Sequence, residues 1–199
     1  MSTTEPSTAE RILDAAEEVL RRYGVEKTNV VDIARSLGMS HGNIYRHYPS
    51  KQALIQAVAM RWLRAVAGPL EEIAQDTKRP AAKRLEAWFD TLRAMKRRKV
   101  LEDPELFRVH HNVVKEVPLV VEEHQALMRR QVAHIIAEGV RNGEFSRRVD
   151  PPVAAWAFLQ ATSPFHHPAL MQAHPPTDAD ARAVFALLLA GLKAERKGK

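Results

Sequence analysis

The chain has 199 residues, of which 45% are apolar and 27% are charged, so it can form one or two domains with a buried core. It contains no cysteine, which excludes disulfides and thiolate metal sites, and its formal net charge is +6. The N-terminal residues lack the apolar segment of a signal peptide, and the longest apolar run, residues 184–192, is too short to span a bilayer. We therefore expect a cytoplasmic protein, and the abundance of Ala, Leu, Glu and Arg favours helices.

The first predicted helix begins after Ser7 and is closed by Gly24. Residues 7–10 form a capping-box pattern, in which the side chains of Ser7 and Glu10 satisfy free backbone N–H groups. The apolar stripe of this helix consists of Ile12, Ala16, Val19, Leu20 and Tyr23. The spacing predicts that the helix packs on the segment that follows it and forms a small core.

Two short helices separated by a tight turn are predicted next. The first covers residues 30–37 and is interrupted by Gly38, a residue type that ends helices readily. Ser40 caps the second helix, which ends at residues 48–49, and Ser50 caps the long helix after it. The second short helix is too polar to serve core packing alone. Its outward residues, whose side chains can reach base edges and phosphates, are Ser40, His41, Gly42, Asn43, Arg46 and His47.

The segment from residue 28 to residue 54 contains two sequence patterns, T-x3-D-I-A-x2-L-G and then S-x-G-x-I-Y-x-H-Y-P-S-K-x-A-L. In both patterns it resembles the DNA-binding headpiece of the TetR family of bacterial transcriptional regulators. The resemblance covers the first quarter to third of the chain; the remainder is similar only in length and helical character. It implies an all-α, nine-helix TetR-like fold. Residues 1–51 would form the helix-turn-helix DNA-binding domain, and residues 52–199 a helical effector-binding and dimerisation domain.

The resemblance also implies which residues bind double-stranded DNA, with the second short helix in the major groove. Amide and guanidinium groups suit adenine and guanine edges, and a cation at a helix start suits a phosphate. The residues expected to read base edges are Ser40, His41, Asn43 and Arg46, with Gly42 allowing close approach of the backbone. The residues expected at phosphates are Thr28, Tyr45, His47 and Lys51. Ile44 and Tyr48 are assigned to the core instead.

The distribution of charge supports this interpretation. Residues 1–51 hold seven basic and seven acidic residues, yet no acid occurs between Asp32 and Glu71. The basic residues in that interval are Arg35, Arg46, Lys51, Arg61 and Arg64. A basic stretch over a recognition element is typical of phosphate-backbone binding, although a solvated basic face is the alternative. A second basic run, residues 96–99, is interpreted as a charged helix end, with nucleic acid as the alternative.

Six further helices complete the predicted fold. Their expected positions are residues 50–74, with a kink or break at Gly68-Pro69; 80–95; 104–114; 118–142; 150–162, with Asp150 as the cap; and 177–192, with Thr177 as the cap. The last two are apolar nearly all round, through Val153, Trp156, Phe158 and Leu159 on one and Val184, Phe185, Leu187, Leu188, Leu189 and Leu192 on the other. A helix without a polar face must be buried on two sides, so these two helices predict a homodimer interface.

Aromatic residues on the apolar stripes of the second half suggest a pocket for a small, mostly apolar effector. The candidate ligand-binding residues are Trp88, Phe89, Phe107, His110, Trp156, Phe158 and Phe165. Plain core packing is the alternative for each, and His110 is favoured as a ligand contact because a polar group on an apolar face needs a partner. The spacing of His166, His167 and His174 matches no known ligand signature, so we expect no metal.

The sequence contains no glycine-rich phosphate loop and no nucleophile arrangement, so we expect neither an enzyme nor a bound cofactor. The predicted function is a ligand-responsive transcriptional regulator, a repressor released from a palindromic operator by a small hydrophobic effector. The alternative is a constitutive DNA-binding protein without an effector switch. An internal cavity distinguishes the two, because a switch needs one.

Overall fold

The computed structural model of the protein describes residues 6–102, 112–167, 170–171 and 176–193. Over these ranges the backbone is helical apart from turns and one isolated antiparallel bridge between Phe145 and Lys193. The predicted all-α fold class is therefore confirmed. Among the described helices, none combines the length and the apolar character needed to cross a membrane.

Eight α-helices have defined bounds in the described ranges. They are α1 (Thr8–Lys27), α2 (Val30–Ser36), α3 (His41–His47), α4 (Lys51–Gln75), α5 (Ala81–Glu102), α6 (Pro118–Arg141), α7 (Pro151–Thr162) and α8 (Asp178–Leu192). A 3₁₀ turn, Ser163–Phe165, follows α7 directly. These helices correspond to eight of the nine predicted ones. The ninth, over residues 104–114, lies largely outside the described residues, which resume with a helical turn at 112–115.

Side-chain caps fix several helix starts where the sequence predicted them. The capping box of α1 is complete, with Ser7 N donating to Glu10 Oε2 at 2.7 Å and Glu10 N donating to Ser7 Oγ at 3.2 Å. Asp150 caps α7 by accepting from Val153 N at 3.1 Å, and Thr177 caps α8 in a second capping box. Such caps satisfy N–H groups that a helix start leaves free.

Gly24 and Gly38 interrupt the helical backbone as predicted, whereas the helix continues through Gly68-Pro69. Gly24 has φ 74° and ends the regular part of α1, and Gly38, at φ 63°, separates α2 from α3. Of the kink or break predicted at Gly68-Pro69, the break is wrong, because α4 is continuous through Pro69. Val66 and Leu70, on either side, are buried in the core, and this packing offsets the usual cost of about 3 kcal/mol for an internal proline.

The backbone divides into two compact units, of which the first comprises residues 1–64 and 102–122. Its core joins α1, α2, α3 and the first half of α4. The core residues include Ile12, Ala16, Leu20, Ile33, Ile44, Leu54, Val58 and Trp62, together with Val113 and Val117 from the returning segment. This unit extends beyond residue 51, so the backbone contacts divide the chain at a different place from the predicted functional boundary between residues 51 and 52.

The second unit comprises residues 65–101 and 123–199. Within it, α5 and α6 run antiparallel, as their contacts show. Arg84 Nη2 lies 2.5 Å from Glu138 Oε2, and one turn further along α5 the indole of Trp88 donates to Gln131 Oε1 at 3.0 Å. Arg84 is buried, and its other amino group donates to the Ala74 carbonyl at 2.8 Å. These polar contacts set the register of the two helices inside an apolar core.

Candidate DNA-binding site and effector core

The turn between α2 and α3 is closed by local hydrogen bonds. Met39 N donates to the Ala34 carbonyl at 2.9 Å across Gly38, whose left-handed backbone reverses the chain. The hydroxyl oxygen of Ser40 then accepts from Asn43 N at 3.3 Å and caps α3. The predicted helix-turn-helix is therefore present as a compact structural element, and α3 starts at the residue expected from the sequence.

One residue fixes α3 to the core while most of the others remain accessible. Ile44 is fully buried among the residues of α1, α2 and α4. Asn43 is half-buried. The exposed residues of the predicted DNA-binding set on and just before α3 are Ser40, His41, Gly42, Tyr45, Arg46 and His47. The structure thus brings these six residues together on the accessible surface of one short helix and its cap.

Contacts among these side chains are weak and exchangeable. The rings of His41 and Tyr45 meet edge to face, with centroids 6.3 Å apart. The amide nitrogen of Asn43 lies 3.6 Å from the sulfur of Met39, which is a poor acceptor. Little is lost when such groups exchange their present contacts for a base edge, so the surface is suited to recognition.

Tyr48 anchors the C-terminal end of α3. Its hydroxyl donates to the Ala9 carbonyl of α1 at 3.2 Å, and partial burial raises the pKa of the phenol. This supports the assignment of Tyr48 to a structural role. Together with Ile44, it holds both ends of α3 against the rest of the first unit.

Lys51 lies at the first position of α4, one residue after its cap. Ser50 Oγ accepts from Ala53 N at 3.0 Å, and the Ser50 carbonyl accepts from Leu54 N at 3.1 Å. Among the described residues, neither Lys51 nor Arg46 forms an ion pair with an acidic side chain. A cation at a helix N-terminus is well placed to bind a phosphate, because its charge adds to the free N–H groups.

The structure contradicts the predicted phosphate contact of the Thr28 side chain. Thr28 is 4% exposed, and its hydroxyl donates to the Gly24 carbonyl at 2.6 Å. The cap of α2 is instead Asn29, whose Oδ1 accepts from Val31 N at 3.0 Å. The unpaired carbonyl left by the irregular backbone at Gly24 takes up the threonine hydroxyl, and this competing local bond could not be seen in the motif.

The sequence has no acidic residue between Asp32 and Glu71, but in the folded structure acidic side chains contact basic residues of this interval. Arg61 of α4 contacts two acids of α1, with Nη1 2.5 Å from Asp14 Oδ1 and Nη2 bonded to Glu17. Arg35 pairs with Asp32 at 3.1 Å on the surface of α2. Arg61 therefore braces α1 against α4 and does not belong to the basic DNA-binding surface. The acids that neutralise it lie more than forty residues away in sequence.

In the second unit, four of the candidate ligand-binding residues pack together. Trp88, Phe89, Phe158 and Phe165 are all buried, with edge-to-face ring contacts at centroid distances of 5.7–6.5 Å. Phe185, which the sequence analysis listed among the apolar residues of the last helix but not as a ligand contact, stacks on Phe89 at 5.9 Å. Its spacing from Ala181 and Leu192, both buried on the same side of α8, is the signal that could have identified it. These five residues are called the aromatic cluster below.

Three other candidates do not join this cluster. Trp156 is 54% exposed, so its assignment to the same pocket is wrong: it lies on the opposite side of α7 from Phe158. Phe107 and His110 lie outside the described residues, as does His174. Among the described residues there is no group of three or more side chains that could hold a metal ion.

Sequence reasoning missed two buried polar residues of α6, His124 and Gln131, and considered the half-buried His166 only as a metal ligand. His124 of α6 is 9% exposed, and its burial, with a smaller contribution from Lys96, lowers its pKa to about 4. Burial also lowers the pKa of His166 to about 4, with Lys96, His167 and His124 adding to the effect. Gln131 bridges Trp88 and the Ala67 carbonyl of α4. Polar residues on apolar stripes were the signal for these positions, as they were for His110.

Three large apolar side chains on α7 and α8 face solvent. Val153 is 63% exposed, Trp156 54% and Leu187 74%. The two helices contact each other within the second unit. An exposed apolar surface of this kind marks an interaction site more often than a free surface.

An exposed recognition helix on a helix-turn-helix, joined to an all-helical second unit, defines a DNA-binding transcriptional regulator. Two family profiles match the chain: "Bacterial regulatory proteins, tetR family" over residues 12–58 and "Tetracyclin repressor-like, C-terminal domain" over residues 81–185. The second alone covers more than half of the 199 residues. The chain belongs to the TetR family, and the proteins it resembles are transcriptional regulators and not enzymes.

Individual relatives are distant. The transcriptional regulator UidR of Escherichia coli K12 is 38% identical over 61 residues, and the match spans 31% of each chain. The repressor KstR2 of Mycolicibacterium smegmatis is 24% identical over 159 residues, covering 79% of this chain and 76% of that one.

Solved structures share the fold over nearly the whole chain. SmeT, the repressor of the Stenotrophomonas maltophilia efflux pump SmeDEF, has a TM-score of 0.71 at 19% identity, with 96% of this chain and 92% of that one covered. FadR of Bacillus subtilis, solved with stearoyl-CoA, has a TM-score of 0.66 at 20% identity, with 92% and 98% covered.

The depressed pKa of His124 predicts acid sensitivity. Because its pKa is about 4 when folded and 6.5 in the free side chain, the unfolded chain binds more protons between these values. Stability is then unaffected by this residue above pH 6.5 and falls as the pH drops toward 4. From pH 7 to about pH 5, His124 should cost roughly 2 kcal/mol. Urea unfolding at both pH values should show a smaller loss for His124→Leu than for the parent; equal losses would contradict the assignment.

Proposed function

We propose that the protein is a dimeric repressor that binds a roughly palindromic operator and is released from it by a small, mostly apolar effector, acting in the cytoplasm. The observation that carries the DNA-binding part is the surface of α3, where one buried isoleucine holds six exposed residues of the predicted DNA-binding set in place. The relatives are helix-turn-helix transcriptional regulators, so DNA binding is shared with them. The palindromic operator, the dimer and the effector switch are what we propose for this chain in addition.

The proposed contact of each side chain, with a base edge or with a phosphate, follows from its chemistry. Asn43 and Arg46 offer the donor and acceptor patterns that read adenine and guanine in the major groove. Lys51 offers a charge at a helix start, and His47 and Tyr45 flank it with groups that can donate to phosphate oxygens. Phosphate contacts position the helix, while contacts with base edges select the sequence. One copy of α3 reads few bases, so useful specificity needs two.

The exposed apolar surface of α7 and α8 supports the homodimer. Val153, Trp156 and Leu187 would be covered by the same residues of a second copy in a two-fold arrangement. Aromatic residues are enriched in such interfaces and lysine is depleted. α8 contains no lysine, which is consistent with a dimer interface.

The effector site is proposed within the second unit, at the aromatic cluster. Trp88, Phe89, Phe158 and Phe165 provide the apolar wall. SmeT has been solved in a complex with triclosan and FadR with stearoyl-CoA, so proteins of this fold accommodate ligands with large apolar parts. A constitutive DNA-binding protein is the alternative, and it requires no response to any ligand.

Two alanine substitutions should separate positioning from recognition. Lys51→Ala should weaken binding to all DNA sequences about equally and reduce the salt slope by about one, since one phosphate contact is lost. Asn43→Ala should instead alter the preference among sequences, costing about 1–3 kcal/mol at the contacted base. The measurement is fluorescence anisotropy on a selected operator and on single-base variants of it, at several salt concentrations.

Arg22→Ala is the matched control for these variants. It removes the same unit charge from α1, where Arg22 pairs with Glu18 at 3.4 Å. It should leave both the sequence preference and the salt slope close to those of the parent. If Lys51→Ala and Asn43→Ala also behave like the parent, the assignment of α3 is wrong.

A charge on the exposed apolar surface should prevent dimer formation. Leu187→Glu places a carboxylate where the proposed interface would be dry, whereas Leu119→Glu alters an equally exposed leucine in the first unit. Sedimentation velocity at micromolar concentration should give a dimer for the parent and for Leu119→Glu, and a monomer for Leu187→Glu. Circular dichroism confirms that each variant is folded. A monomeric parent removes the claim.

Release from DNA distinguishes the repressor from its constitutive alternative. A thermal-shift screen of small hydrophobic compounds should give hits that raise the melting temperature, and these hits should weaken operator binding. The ligand changes DNA affinity only as far as it binds the two conformations differently, and a coupling of about 1–3 kcal/mol is usual. Hits that stabilise the protein but leave operator affinity unchanged would favour the constitutive alternative.

A further inference from the structure

Polar groups collect at one end of the face where α5, α6 and α7 meet. The antiparallel register of α5 and α6 locates two of them. From the bonded pair Trp88 and Gln131, Lys96 lies eight residues toward the end of α5, and His124 lies seven residues toward the start of α6. At 1.5 Å per residue both are about 11–12 Å from that pair in the same direction. Lys96 and His124 are therefore at the same level of the bundle.

α7 and the turn after it bring a third group to this level. Phe158, Thr162 and His166 follow each other at four-residue spacing along one side of α7 and the 3₁₀ turn. Thr162 is fully buried and donates to the Phe158 carbonyl at 2.8 Å, and its oxygen lies 3.3 Å from His166 Nε2. The imidazole of His166 is thus held at the end of the aromatic cluster.

His124 is the exceptional member of the group. It is nine-tenths buried, and in the described part of the chain its Nε2 has no hydrogen-bond partner. A buried polar atom without a partner is destabilising, because it has lost its hydrogen bonds to water. A ligand that supplies an acceptor to Nε2 would recover this cost.

The surrounding charge favours an anionic acceptor. The positive charge of Lys96 acts on the imidazoles of both His124 and His166, and the two imidazoles also act on each other. Among the described residues, no acidic side chain contributes to the pKa shift of His124 or His166. A carboxylate only accepts hydrogen bonds, which suits an N–H of His124 that has no partner.

We propose that His124 Nε2 binds the carboxylate of an amphipathic effector beside His166, with Lys96 contributing its charge and the apolar body of the ligand directed toward the aromatic cluster. The inference rests on the proposed effector function and adds the chemical class of the ligand. Met128 is buried one turn from His124, and Met95 packs at the edge of the same core. Methionine side chains rearrange at low cost, so they can make room where the carboxylate end meets the rings.

The test compares two carboxylates with their uncharged esters on the full-length protein. The probes are 2-naphthoate and decanoate, one flat and one flexible, each measured against its methyl ester by isothermal titration calorimetry at pH 7. At least one carboxylate should bind the parent tenfold or more tightly than its ester. His124→Leu should remove that preference and leave the affinity for the ester within about twofold.

Stability separates a binding role from a structural one. Replacing an unpartnered buried polar group by an apolar group of similar size is close to neutral or stabilising. The melting temperature of His124→Leu at pH 7 should therefore equal or exceed that of the parent, whereas a structural role predicts a fall. His134→Leu on the same helix is the matched control, because His134 faces Glu138 at 3.7 Å, and it should keep the preference for the carboxylate.

The outcomes distinguish this inference from the proposed function. If neither carboxylate binds better than its ester, or if His124→Leu keeps the preference, the inference is wrong, even where uncharged compounds release operator DNA. If the carboxylate binds through His124 but leaves operator affinity unchanged, the site is correct and the switch is not. An equal loss in His134→Leu would show a general effect on α6 and would overturn the assignment.

Discussion

A seven-residue helix cannot hold its conformation in water, so the recognition surface depends on how α3 is fastened to the first unit. Ile44 supplies the apolar contact, and the bond from Tyr48 to Ala9 fixes the far end of the helix. Arg61, bonded to Asp14 and Glu17, joins α1 to α4 and so steadies the platform on which α3 rests. The exposed side chains can be chosen for DNA because these few buried or half-buried groups supply the stability.

In the second unit, long helices with similar apolar faces must be aligned in one register. Leucine, valine and phenylalanine pack in many registers, whereas Arg84 with Glu138 and Trp88 with Gln131 bond in one. The interaction with Arg84 also holds the pKa of Glu138 below its usual value, which favours the ionised carboxylate. Buried ion pairs add little net stability, and their best-attested use is to specify an arrangement. Here the two polar contacts fix which residues of α5 and α6 lie at the same level of the bundle.

The proposed effector switch and the proposed dimer would place opposing demands on this unit. In a dimer, the exposed face of α7 and α8 would be covered by a second copy, which needs rigid, complementary side chains. A ligand beside His124 would need groups that can rearrange, and the two methionines near it would meet that requirement. Both demands fall on α7, where Phe158 points into the core and Trp156, two residues earlier, faces solvent.

The sequence by itself determined what depends on local chemistry. Ser7, Ser40, Asp150 and Thr177 cap helices because their side chains reach backbone N–H groups three residues away, and such contacts are visible in the linear chain. Gly38 and the motif around Ile44 and Lys51 located the helix-turn-helix, because a turn residue also acts on its immediate neighbours in the chain. Eight predicted helices followed from apolar spacing, which is a property of one helix at a time.

Tertiary structure decided what depends on partners distant in sequence. Arg61 is neutralised by acids of α1, Thr28 turns inward to a carbonyl left free at Gly24, and Pro69 stays within α4 because its neighbours are buried. The direction of Trp156 and the isolation of His124 depend on which face of each helix meets the core. An all-round apolar helix such as α7 gives no pattern to settle that choice. Packing between helices makes it, because contacts with the neighbouring helices decide that Phe158 is buried in the aromatic cluster and that Trp156 faces solvent.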